Sequence, residues 1–195
     1  MPAGRGHDVD YIIERSRVLD NGWRKTDRLI MSINAIVLGY SLAIGKTLGK
    51  SFTGMGQLLL NEVGDTLADM VDGILGEAKY TNENLIELIK RGLEESGIAR
   101  NVVVKEEPPV EKHGAYLRRI RIIIKDSLFK PIYGVLLKRG YREFPLSPEA
   151  MLAAAIVRRI LREKKKDARL KVRAKLMEDG ETLEIAIEEL PSLKR

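Results

Sequence analysis

The chain contains no cysteine among its 195 residues. That excludes a disulfide framework, a thiolate nucleophile, Cys-ligated zinc and iron–sulfur clusters, and with them a large share of enzyme chemistry. Histidine is nearly as scarce, occurring only at His7 and His113. Neither belongs to a nucleophile–base arrangement, so no catalytic residue is assigned and no enzymatic activity is expected. Aromatic residues make up 5% of the chain, which leaves its basic segments without the interleaved rings that stack nucleic-acid bases. Long apolar runs are missing too. The most apolar stretch, Leu29 to Ile44, is interrupted by Ser32, Asn34 and Ser41 and stops at Lys46, short of the ~20 residues a membrane span requires. Met1 to Asp10 carries Pro2, Gly4, Gly6 and two acids with no cleavage-site pattern, so a secretory signal is not expected and the protein is read as cytoplasmic.

What is present suits a single domain with a full core: 44% of the residues are hydrophobic. The charged fraction, 32%, exceeds the roughly 25% of ordinary soluble domains and resembles the surfaces of heat-adapted proteins. The net charge is +6, unevenly spread. Ten bases lie between Arg158 and Lys175, and six acids with no base between Glu178 and Glu189. The two blocks neutralise each other if the chain folds back between them.

Residues 1–26 have a broken pattern and are read as an N-terminal extension, with one domain over 27–195. From Asp27 the apolar positions Ile30, Ile33, Ile36, Val37, Tyr40, Ile44 and Leu48 recur at helical spacing. Small residues punctuate this helix: Ala35, Gly39 and Ala43 form one four-residue series, and Ser41, Gly45 and Gly49 another. Glycine inside a helix costs about 0.5–1 kcal/mol relative to alanine, so its repetition predicts close backbone approach by a second helix. A second helix is predicted over 57–74, and a third from Asn82 or Glu83 to Ser96, capped by Thr81 or Asn82 and ended by Gly97.

The period then changes to two. Asn101 to Glu107 and Tyr116 to Lys125 read as strands, joined by a loop holding Pro108, Pro109 and Gly114. A short helix around Ile132 to Lys138 follows Pro131. The next helix has Ser147 as N-cap, Pro148 at its first position and Glu149 favouring the dipole, with Met151, Leu152, Ala155, Ile156, Ile160 and Leu161 as its buried face. Finally, a two-residue turn at Asp179-Gly180 pairs Leu176 with Leu183, Ala174 with Ile185 and Val172 with Ile187 on an apolar face. It also sets Lys175 against Glu184 and Lys171 against Glu188 on the other.

Four motifs bear on chemistry. Gly45-Lys46-Thr47 and Gly49-Lys50-Ser51 resemble phosphate loops, but the glycine five residues upstream is missing and no strand precedes them, so helix packing is the better reading. Asp65, Asp69 and Asp72, extended by Glu62, share a helical face and read as its solvated side; no metal site is expected. The basic run Arg158, Arg159, Arg162 and Lys164 to Lys166 reads as a solvated helix end, with nucleic acid not the expected partner.

The stretch Phe144 to Leu161, a charged break and the hairpin Leu170 to Leu190 together resemble the C-terminal half of the vinyl reductase-type domain. Glu83 to Val104 is similar to that family's helix leading into its first strand, and Asp27 to Leu75 to its pair of glycine-punctuated helices. The family includes predicted hydrocarbon-binding proteins of archaea and shares its fold with Golgi transport-particle subunits and haem-based nitric-oxide sensors. The resemblance implies an α+β fold in which long glycine-punctuated helices pack on a small, mostly antiparallel sheet and the C-terminal helix is followed by a β-hairpin. It also implies an apolar ligand cavity and dimers formed through the long helices. The family's cysteine cluster has no counterpart here, and neither has a histidine haem ligand in the helices. No cofactor is therefore expected. The functional expectation is a non-enzymatic module for a small apolar, hydrocarbon-like ligand, or a homodimeric scaffold. The pocket would involve Ile36, Tyr40, Ile44, Phe144, Met151 and Ala155, and the dimer interface Ala35, Gly39, Ala43, Gly45 and Gly49. The alternative is a nucleic-acid-binding regulator using the basic end of the last helix.

Overall fold

The computed structural model describes residues 62–69, 81, 83–112, 115–138, 140–141, 143, 147–163 and 169–190. Within them a helical segment α1 (62–69) is followed by α2 (Leu85–Glu95), β1 (Ala99–Lys112), β2 (Ala115–Ser127), α3 (Lys130–Lys138), α4 (Pro148–Glu163), β3 (Arg169–Leu176) and β4 (Leu183–Leu190). The strands form one antiparallel sheet in the order β1-β2-β4-β3. This is the expected α+β class, with the last helix feeding a hairpin. The expected helix over residues 27–49 lies outside the described residues, as does most of the one over 57–74.

Helix α2 buries Leu85, Leu88, Ile89, Gly92 and Leu93, an i, i+3, i+4 stripe set by the 3.6-residue period. It begins after Asn84, two residues later than expected. Neither Thr81 nor Asn84 caps it by side chain; instead the Asn84 side-chain oxygen accepts from the Thr81 backbone N–H (2.9 Å) and hydroxyl (3.0 Å). Gly97 ends the helix at φ +72°, where a side chain would be strained.

The two strands of the first hairpin are longer than their apolar runs. The expected loop at Pro108 and Pro109 is part of β1, whose register against β2 slips between Glu107 and Val110. Proline is tolerated there because β1 is an edge strand and the slip is a bulge, so no ladder donor is lost toward a second neighbour. The central pairing sets Ile120, Ile122 and Ile124 of β2 opposite Ile187, Ile185 and Leu183 of β4. All six are buried, each contributing about 1.5–3 kcal/mol.

The β3–β4 hairpin has the expected register: Leu176 pairs with Leu183, Ala174 with Ile185, Val172 with Ile187, Lys175 with Glu184 and Lys171 with Glu188. Its loop differs from the expected two-residue turn. Met177 N–H still donates to Thr182 C=O (2.8 Å), so residues 178–181 form the loop, with Gly180 at φ +66° donating to Met177 C=O (3.0 Å). The Asp179 carboxylate accepts from the Glu181 and Thr182 backbone N–H groups (2.9 and 2.8 Å) and the Thr182 hydroxyl (2.5 Å). These bonds draw its pKa down from 3.8 to about 2. An aspartate able to hold three donors favours the longer loop.

Helix α4 departs most from expectation. It starts as read, with Pro148 first and Ser147 Oγ accepting from Ala150 N–H (3.1 Å). Yet every residue from 148 to 158 is buried, not one face alone. The helix contacts α2 and β3 and meets α1 at Gly64, where an added Cβ would lie 2.8 Å from the Met151 carbonyl oxygen. Four alanines among residues 150–155 let neighbouring elements close on it from several sides.

Candidate functional site

Two polar clusters lie on α4, one at each end of its buried stretch. At the N-terminal end, the Glu149 carboxylate accepts from the Ser127 and Tyr133 hydroxyls. Ser127 Oγ also accepts from Phe129 N–H (3.0 Å). Three elements thus meet at one carboxyl group: the last residue of β2, the first turns of α3 and the first turn of α4. Glu149 is fully buried, and Ser127, Tyr133 and Ser147 nearly so. Burial raises the Glu149 pKa from its ordinary value, while the hydroxyls of Ser127 and Tyr133, its own backbone N–H and Ser147 pull it back. Tyr133 is raised well above its ordinary value, chiefly by burial and then by the charge of Glu149. The first turn of α4 adds its dipole in favour of the anion. Every polar group here is matched inside the fold, and the cluster binds elements together with no face toward solvent.

At the other end, Arg158 lies against α1 with its side chain 6% exposed, and its Nη2 donates to Asp65 Oδ1 (3.2 Å). Arg159 Nη2 donates to the Asp69 carboxylate and to Asp65 C=O (3.4 Å). The expectation for the basic run is corrected. Arg158 and Arg159 are not part of a solvated helix end but pair with Asp65 and Asp69, 93 and 90 residues away; Glu62 and Asp69 are exposed, as a solvated stripe predicts, while Asp65 is half-buried against Arg158. No group of three or more metal-ligating side chains occurs among the described residues.

Of the expected pocket residues, Met151 and Ala155 are buried on α4. Ile36, Tyr40, Ile44 and Phe144 lie outside the described residues, as do the interface set Ala35, Gly39, Ala43, Gly45 and Gly49, the two Gly-Lys motifs, Asp72, His7 and His113. The sequence pattern assigns Glu149 only a role at the helix dipole. The overlooked signal is its place one helical face with Ala153, Ile156 and Ile160, a face with no other polar residue.

These features define an α+β protein whose alanine-rich central helix is held between a four-stranded antiparallel sheet and further helices. The chain belongs to the family of the uncharacterized archaeal protein MJ0312 of Methanocaldococcus jannaschii, with which it is 46% identical over 175 residues, 87% of this chain and 82% of that protein. No family model matches the chain. The vinyl reductase-type resemblance therefore rests on the order of elements. Two solved structures, the Fe(II) unliganded H-NOX protein of K. algicida and a mutant of it, are 16% and 15% identical. They cover 97% and 96% of this chain and 89% and 88% of their own length, each at a TM-score of 0.28. Overlays that loose carry no argument about this chain.

Proposed function

We propose that the chain is a binding module without catalytic chemistry of its own, which holds a small apolar, hydrocarbon-like ligand and joins two copies through its glycine-punctuated helices. The observation that carries this reading is the crossing of α1 and α4. There Gly64 brings one backbone against the carbonyl of Met151 with no room for a methyl group. That is the use of small residues which the series Ala35, Gly39, Ala43 and Gly45, Gly49 leads one to expect one helix earlier. Met151 is a flexible side chain suited to an irregular apolar boundary, and it sits at that crossing. The buried polar groups of α4 are spent on holding elements together, so on this reading the chain's work is packing and recognition. Among the described residues no helix is long and apolar enough to cross a membrane. The alternative, polyanion binding by the basic end of α4, is weakened because Arg158 and Arg159 are engaged by Asp65 and Asp69.

Native mass spectrometry of the purified full chain tests the proposal, since it reports co-purified apolar ligand and subunit number together. A dimer that retains an apolar adduct supports it, and Gly39→Leu should then dissociate the dimer. A ligand-free monomer at ~10 µM, well above the nanomolar range of a stable dimer, overturns it.

A further inference from the structure

The face of the sheet turned away from the buried isoleucines is open, and its register sorts its side chains into rows across the strands. One row runs Glu107, Arg119, Glu188, Lys171; the next Lys105, Arg121, Ala186, Arg173; the third Val103, Ile123, Glu184, Lys175. The acids in these rows are all occupied. Glu107 holds Arg121 (2.6 Å) and Arg119 (3.1 Å), Glu184 holds Lys175 (3.4 Å) and Arg121 (3.6 Å), and Glu188 lies 3.7 Å from Arg119. Lys105, Lys171 and Arg173 are exposed and make no ion pair among the described residues, and neither does Arg169, which alternation places on the same face of β3. The charge left over on this face is thus positive only.

We propose that this face binds a single nucleic-acid strand through its phosphates, held by Lys105 and Arg173 in the middle row and continued along β3 by Lys171 and Arg169. The middle row has three cations and no acid; its Arg121 is held by Glu107 and Glu184 of the flanking rows, which leaves Lys105 and Arg173 for a ligand. Its one small residue, Ala186, stands between Arg121 and Arg173 and puts no bulky side chain between them. A phosphodiester chain, which carries a charge at every nucleotide, can cross the sheet at Ala186, and arginine forks match phosphate oxygens. Along β3 the cations recur every second residue, about 6.7 Å apart. Val103, 45% exposed, and Ile123 give the bases an apolar floor beside the row. The unmatched cations extend from β1 to β3 across the whole sheet, which fits a ligand lying on the face better than a peptide strand added at the β3 edge. A second copy of the same face would be repelled by its like charge. The inference goes beyond the ligand and dimer reading above and is independent of it.

Fluorescence anisotropy with a labelled oligothymidylate and the full chain tests the proposal. Binding should weaken between about 50 and 200 mM salt with a log–log slope near −3, as about four single-strand phosphate contacts imply. Arg173→Glu and Lys105→Glu should each weaken binding about tenfold and flatten the slope by about 0.7. Lys90→Glu, on exposed α2 surface, makes the same charge change elsewhere and should stay within about twofold. Circular dichroism confirms that each variant is folded, and the two face variants lie on different strands, so the loss of one fold leaves the other as the test. The proposal is overturned by absence of binding at the lower salt, by an equal loss in Lys90→Glu, or by displacement of the oligonucleotide by polyglutamate at equal charge concentration. That last result would make the partner an acidic polypeptide.

Discussion

Removing the Tyr133 hydroxyl should destabilise the protein, and by an amount that depends on pH. Tyr133→Phe preserves the buried ring but takes one hydroxyl donor from a carboxyl group with no access to water. A hydrogen bond to a charged group is worth about 1.5–3 kcal/mol and one to a neutral group about 0.5–1.5 kcal/mol. The larger figure applies where Glu149 is ionised. In a chain of this size it corresponds to a melting temperature lowered by about 3–12 °C. Burial lifts the folded-state pKa of Glu149 above its ordinary 4.5, so folding favours the neutral acid. The stability Glu149 contributes is therefore full below that value and is lost as pH rises through the folded value. Glu149→Gln keeps an acceptor and cannot ionise, so the difference in stability between wild type and Glu149→Gln should decline as pH rises above 4.5. Urea unfolding at a series of pH values from below 4.5 to neutral, followed by circular dichroism, measures both effects. Coincident midpoints for Tyr133→Phe and wild type at neutral pH would refute the reasoning, as would a wild-type advantage over Glu149→Gln that grows with pH.

Local patterns carried the parts of the fold that depend on neighbours in sequence. The start of α4 was legible because Ser147-Pro148 places a side-chain acceptor and a residue lacking N–H where a helix needs them. The β3–β4 register was legible because apolar pairing and charge pairing agreed on one alignment. Pro108 and Pro109 were misread because proline ends a strand only when its missing N–H would face a neighbour, and whether β1 is an edge strand depends on where β2 and β4 meet. That pairing, Ile120 to Ile187, joins residues with no local signal between them.

The same division explains the clusters on α4. Apolar periodicity measures one face, whereas residues 150 to 157 are apolar on every face, which marks a helix surrounded by protein. Taking only the strongest stripe hid that meaning. Glu149 finds its partners 22 and 16 residues away, and Arg158 finds Asp65 at a distance of 93. An acidic stripe and a basic run each looked solvated when considered alone. Burying an arginine requires a nearby carboxylate, so the presence of Arg158 directly after an unbroken apolar run was the indication that a partner existed. Its identity depended on the tertiary fold.

Two further outcomes are expected. Asp179→Asn should destabilise the β3–β4 hairpin at neutral pH. Because the folded-state pKa of Asp179 is depressed from 3.8 to about 2, its contribution is present above pH 3.8 and is lost as pH falls through about 2. The wild-type advantage in urea midpoint should therefore persist at pH 4 and vanish at the acid limit; an advantage already gone at pH 4 would contradict the loop geometry. Gly64→Ala sets helix propensity against packing. Alanine favours a helix over glycine by about 0.5–1 kcal/mol, so an uncrowded site would gain stability. At Gly64 the new Cβ would stand 2.8 Å from the Met151 carbonyl oxygen and 3.1 Å from Arg158 Nη2. The arginine terminus can shift, but the carbonyl belongs to a helix held by neighbours on several sides and cannot. The helix α1 would have to move away, lengthening the Asp65–Arg158 contact at 3.2 Å, at a cost of about 1–3 kcal/mol for overpacking. Packing exceeds propensity, and the net change should be destabilising. Thermal unfolding decides the sign, and a higher melting temperature for Gly64→Ala would show that α1 does not lie as close to α4 as the crossing requires.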